Sequence, residues 1–177
     1  MVDNDYPEPL YFPSQAWFSR YEETINDDDE YNEMSEGWGV GFDGDIVFEM
    51  TDMPVDELDV AAMPEYLQDE LDEYMTETEN GYTGYAYLGL EDGRCTGSDL
   101  ITGPEAVDNG FHLTAHNEDW EALLRGDTDI IQGLMSGKFE LDGDMQKILQ
   151  YSDSAQRLTS LAASIDAQFA REKYIIE

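Results

Sequence analysis

Apolar side chains alternate with polar ones through the middle of the chain and recur at three- and four-residue intervals on either side of it. Trp17, Phe18, Tyr21 and Ile25 form the first helical stripe, in a helix opening at Gln15 behind Ser14 as N-cap. Residues 26–30 are acidic and end it, and a further turn covers Tyr31 to Ser35. The strand pattern then begins, as one strand or two short ones over Trp38 to Phe42 and Asp45 to Thr51. Ile46, Phe48 and Met50 share one face there. A connection with two prolines leads to a helix from Glu65, whose apolar side is Tyr66, Leu67, Leu71, Tyr74 and Met75. Asn80-Gly81 marks a turn. Tyr82 to Leu90 and Cys95 to Thr102 read as a hairpin around Asp92-Gly93, and Gly103-Pro104 stops it.

Another strand, Val107 to Ala115, puts Phe111, Leu113 and Ala115 on one face. Helical spacing follows. Asn117 is placed to cap a helix carrying Trp120, Leu123 and Leu124, with Gly126 closing it. Asp127 is placed to cap the next, with Ile130, Ile131, Leu134 and Met135 as a dense stripe up to Gly137. In the clipped strand Lys138 to Asp142, Phe139 and Leu141 point inward. Asp144 caps a helix with Met145, Ile148 and Leu149. The last helix starts near Ser154 and aligns Leu158, Leu161, Ala162, Ile165 and Phe169 on one face.

Charge changes the picture. The chain has 177 residues, with 42 acidic and 8 basic ones, for a net charge of −34. Through Gly103 there are 28 acids and 2 bases, and beyond it 14 and 6. Such a surface repels nucleic acid and anionic membranes. Hydrophobic residues at 41% and clean periodicity argue against disorder. At about 1 M salt the screening length is about 3 Å, so like charges scarcely repel. The expectation is a cytosolic protein of a halophile, for which a halophilic archaeon is the natural source. Residues 1–12 lack the basic and apolar regions of a secretory leader, and no eighteen-residue apolar run offers a membrane span.

Candidate chemistry is sparse. Cys95 is the single cysteine and has no activating base nearby in sequence. His112 and His116 fall on a strand, and the acidic runs at 27–29 and 43–45 lack EF-hand spacing, so no metal or other cofactor is expected. The glycines at 37, 39, 41 and 44 do not form a phosphate loop. No GxSxG, HExxH or CxxC is present, and the expectation is a chain that does no catalysis.

One pattern stands out: Trp120, Gly126-Asp127, Ile130-Ile131, Leu134-Met135, Gly137-Lys138-Phe139-Glu140-Leu141 and Gly143-Asp144. It resembles the C-terminal half of the sterol carrier protein (type two) lipid-binding domain. The resemblance implies an α+β fold, with a five-stranded, mainly antiparallel sheet covered on one face by helices and an apolar tunnel between the layers. It further implies non-catalytic binding of a fatty acyl, isoprenoid or sterol-like chain. Carried over by position, the tunnel lining is Phe111, Leu113, Trp120, Leu124, Ile131, Leu134, Met135, Phe139, Leu141, Met145, Leu149, Leu158, Leu161 and Ile165. The expected layout is an arm over residues 1–13, one domain over 14–170 and an apolar tail over 171–177. The expected partner is a lipid or other apolar small molecule, bound by a monomer or weak dimer. The alternative is an accessory subunit docked on an enzyme of lipid or quinone metabolism.

Overall fold

The computed structural model describes residues 10–53, 55–78 and 81–174. Residues 1–9 of the expected arm, Asn80 of the expected turn and Ile175 and Ile176 of the expected tail lie outside the described residues.

The chain opens with β1 (Tyr11–Phe12), α1 (Gln15–Asn26) and α2 (Asp29–Met34). Ser14 caps α1 by accepting from Trp17 N at 3.1 Å, and Trp17, Phe18, Tyr21 and Ile25 are all buried, as their spacing requires. The stretch read as a possible strand at Trp38 to Phe42 is instead a series of turns. Gly37, Gly39 and Gly41 all have φ between 80° and 93°, which breaks any extended run. Trp38 is folded inward and donates to Gly44 O at 2.9 Å.

Next come β2 (Ile46–Met53), α3 (Glu65–Tyr74), β3 (Thr76–Thr78), β4 (Gly81–Glu91), β5 (Arg94–Ile101) and β6 (Phe111–His116). The chain continues with α4 (Asn117–Leu124), α5 (Ile130–Ser136), β7 (Glu140–Asp142), α6 (Met145–Gln150) and α7 (Ser152–Ser164). It closes with β8 (Gln168–Phe169) and α8 (Ala170–Lys173). The α+β expectation holds, with one revision: the main sheet has six strands, not five. Strand β3 is the one the sequence pattern missed. It pairs with β4 over Gly81 to Thr83, while β5 pairs with β4 over Tyr85 to Glu91. Since β2 occupies the other edge of β4, β3 and β5 lie end to end on one edge. The sheet is therefore five strands wide in the order β3/β5, β4, β2, β6, β7. Among the described residues of this sheet, only the β2–β6 pairing is parallel.

The inner face of the sheet carries Ile46, Met50, Leu88 and Leu113, all buried. Helices α1, α4 and α7 pack over it. The opposite face carries Glu49, Tyr85, Tyr87 and His112. Outermost strand β5 meets α1 along its free edge. Gln15 donates to Ser98 O at 3.3 Å and accepts from Leu100 N at 2.9 Å. Asn26, at the far end of α1, donates to Cys95 O at 3.0 Å and accepts from Cys95 N at 2.8 Å.

The last expected helix is shorter than its stripe. It ends at Ser164, and Phe169 belongs to β8, which pairs in parallel with β1. The caps also differ from expectation. Asp129, not Asp127, caps α5, accepting from Gln132 N at 2.9 Å, because Asp127 is still tied to the end of α4 through its N–H to Ala122 O. Asn117 is the first residue of α4, not its cap, and its side chain turns back along the helix to Glu121.

Candidate ligand cavity

Among the described residues, two apolar cavities lie between the sheet and its helices. The larger has a free volume of about 70 Å³. Its floor is the inner sheet face: Ile46, Phe48 and Met50 of β2, Leu88 of β4 and Leu113 of β6. Its walls are Trp17, Phe18 and Tyr21 of α1, Trp120, Leu123 and Leu124 of α4, and Ala155, Leu158, Thr159 and Ala162 of α7. Phe12, Ile130 and Ile148 close it. The strand period and the helix period thus deliver their apolar stripes to the same space.

Few polar atoms reach this cavity. The Tyr21 hydroxyl donates to Leu158 O at 2.9 Å, and burial pushes its pKa well above the usual tyrosine value. Thr159 spends its hydroxyl on Ala155 O at 3.1 Å within its own helix. Trp17 Nε1 is buried with no hydrogen-bond partner. Such walls recognise hydrocarbon by removing it from water, not by charge.

The second cavity, of about 50 Å³, shares Phe12 with the first. Val55, Leu58, Met63, Leu67, Leu71 and Met75 line it, and Glu70, Asn117 and Glu121 supply polar atoms. Burial is the main cause that raises the Glu70 pKa above the ordinary carboxylate value. Asn117 Nδ2 donates to Glu121 Oε2 at 2.7 Å, and both residues are buried.

The other reactive side chains lie away from these cavities. Burial pushes the Cys95 thiol up to about 12, so the thiolate is scarce at neutral pH. His112 Nε2 meets Glu49 Oε1 at 3.0 Å on the outer sheet face, and His116 Nδ1 meets Asp52 Oδ2 at 2.6 Å. Among the described residues no group of three or more His, Cys, Asp or Glu could hold a metal ion. Among them, too, no helix is long and apolar enough to cross a membrane.

The fourteen expected lining residues divide into four sets. Leu113, Trp120, Leu124 and Leu158 face the larger cavity. Phe111, Phe139 and Leu161 are buried in the core without lining it: Phe111 stacks on Trp38 at 5.1 Å, and Phe139 stacks on Trp120 at 4.9 Å. Ile131, Leu134, Leu141 and Ile165 are half-buried against the core. Met135, Met145 and Leu149 stand at the surface, 79%, 38% and 45% exposed. Helices α5 and α6 have seven and six residues, too short for apolar spacing alone to fix which side turns inward. The α1 and β2 contributions were absent from the expected lining, although the stripe Trp17, Phe18, Tyr21 was already visible as a wide aromatic face.

A model described as the SCP-2 sterol transfer family matches residues 80–156. No curated protein sequence matches the chain. Among solved structures, the crystal structure of a sterol carrier protein 2 superposes with a TM-score of 0.62 at 20% identity, covering 86% of this chain and 97% of the other. A Thermus thermophilus protein, described as possibly a sterol carrier protein, superposes with a TM-score of 0.63 at 20% identity. That match covers 88% of this chain and 90% of the other. The matched segment runs from the start of β4 to the first turn of α7, and so includes the whole Trp120 to Asp144 pattern.

Proposed function

We propose, taking the SCP-2 likeness as premise, that this chain binds and carries an apolar lipid chain between its sheet and helices, without chemistry on it. The supporting observation is the larger cavity, whose walls are apolar and built from every layer of the fold. Its roughly 70 Å³ falls short of the few hundred cubic ångströms of an ordinary ligand site. Uptake of a whole lipid chain would therefore part the walls. Each buried methylene contributes about 0.8 kcal/mol, so ten contribute about 8 kcal/mol and reach roughly micromolar affinity.

Phe12 is the natural gate. It lines both cavities and is held by β1, which pairs with β8, while Tyr11 and Tyr174 join hydroxyls at 3.0 Å. Release of residues 168–174 would free β1 and let the two cavities merge. Arg125 restrains the same segment through Glu172 and by lying 4.6 Å over the Phe169 ring.

The test is mass spectrometry of an organic extract from protein purified in molar salt. A stoichiometric acyl, isoprenoid or sterol-like species supports the carrier. An empty extract, with no apolar dye taken up, sinks it. The second reading, an accessory subunit of lipid or quinone metabolism, draws on Met135, Met145 and Leu149, which α5 and α6 present to solvent. Co-purification with a single enzyme, lost in a variant with these three changed to Gln, would favour it.

A further inference from the structure

One residue in the wall of the smaller cavity carries an unpartnered acceptor. Asn117 is 3% exposed and lines it, and Asn117 Oδ1 has no hydrogen-bond partner. The orientation of the amide is fixed by chemistry. Its other end lies 2.7 Å from a Glu121 carboxylate oxygen, which accepts, so the NH₂ must be at that end and the carbonyl oxygen must face away. A buried acceptor left unsatisfied is costly, so a donor that reaches it gains a hydrogen bond and relieves that cost. The other polar groups of the cavity are the carboxylates Glu70 and Glu121. No Lys, Arg or His lines it among the described residues. Arg125 lies 3.6 Å from Glu121 Oε1 but is not part of the wall.

We infer that the smaller cavity selects the head group of the ligand: a neutral chain ending in a hydroxyl, which donates to Asn117 Oδ1, in preference to a free fatty acid. This inference rests on the carrier reading. The hydrocarbon would occupy the larger cavity and pass Phe12, with its oxygen at Asn117. A carboxylate head has no proton to donate at neutral pH and would enter a cavity whose lining holds two carboxylates and no Lys, Arg or His among the described residues. An ether has the same length and neutrality as the alcohol but lacks the donor.

The experiment uses the full-length chain, stripped of lipid, in molar salt. The fluorescent probe N-phenyl-1-naphthylamine is bound, then displaced by dodecan-1-ol, methyl undecyl ether or dodecanoate. The alcohol should displace it at concentrations about five- to tenfold below the ether, the worth of one neutral hydrogen bond, and lower still relative to dodecanoate. In Asn117→Leu the alcohol and ether should become equal within about twofold. Comparison within the variant needs no assumption about its overall affinity, and the wild-type series stands if the variant fails to fold. Dodecanoate matching the alcohol in the wild type overturns the inference and would place head groups elsewhere, the unpartnered Trp17 Nε1 donor being the alternative. A preference that survives in Asn117→Leu overturns it as well. Failure of all three compounds and of the probe to bind would instead remove the carrier reading itself.

Discussion

Arg157 of α7 grips Asp28, the N-cap of α2, with two hydrogen bonds: Nε to Oδ2 at 2.9 Å and Nη2 to Oδ1 at 2.6 Å. The same carboxylate accepts from Tyr31 N at 2.9 Å, so one side chain both starts a helix and ties it to another. The Arg157 hydrogen bond is the largest cause that holds the Asp28 pKa below its ordinary value. A depressed carboxylate pKa stabilises the fold fully above the unfolded pKa, and that contribution is lost as pH falls through the folded value. Arg157→Met should therefore cost about 1 kcal/mol near neutral pH, since the pair is partly exposed. The gap between wild type and variant should close below about pH 4. Thermal melts of both from pH 3 to 7 check this, and a gap that widens in acid would contradict it.

The net charge of −34 predicts a fold that depends on salt. Screening lengths fall from about 10 Å at 0.1 M to about 3 Å at 1 M. The melting temperature should climb steadily between 0.1 and 3 M NaCl, with loss of near-UV circular dichroism at the low end. A flat or falling profile would remove the halophilic expectation.

Ala162 is buried on α7 and lines the larger cavity. Ala162→Leu places three more carbons in about 70 Å³. Burial of those carbons and overpacking oppose each other, so stability should change by no more than about 2 kcal/mol in either direction. Apolar dye binding should fall at least tenfold. Undiminished dye binding in the folded variant would mean that ligand sits elsewhere.

Gly93 is the tight point between hairpin and helix. Its φ is 81°, and a Cβ there would lie 2.2 Å from Asn32 O. Asn32 Nδ2 in turn donates to Gly93 O at 2.6 Å. Gly93→Ala combines backbone strain with a clash against main chain and should cost about 3 kcal/mol. Chemical denaturation in molar salt measures it; a cost below about 1 kcal/mol would show that α2 yields easily.

Periodicity made long elements legible and short ones ambiguous. The stripes of α1 and α3 and the alternation through β2, β4 and β5 each repeat often enough to define a buried side. Helices α5 and α6 hold fewer than two full repeats, and Met135 and Leu149 came out exposed there. Strand β3 has three residues and the sequence Thr-Glu-Thr, with no apolar member to betray it; its pairing with β4 makes it a strand. The β1–β8 pair was invisible for a different reason. Two residues carry no period, and only the closed fold brings Phe12 beside Phe169. The smaller cavity escaped notice because an asparagine in a helix's first turn reads as a cap. Its burial beside Glu121 in the cavity wall is a property of three dimensions.

The two amides of α1 do for β5 what another strand would do. Gln15 and Asn26 each present a C=O and an NH₂ with the same donor and acceptor pairing as a peptide group, at Leu100, Ser98 and Cys95. A bare outer strand is a template for aggregation, and charged side chains are one of the ways in which proteins guard it. Charge repulsion is the defence that concentrated salt disables. A guard made of neutral side-chain amides is insensitive to ionic strength, so the molecule can remain unpolymerised under the conditions in which its 42 carboxylates no longer keep copies apart.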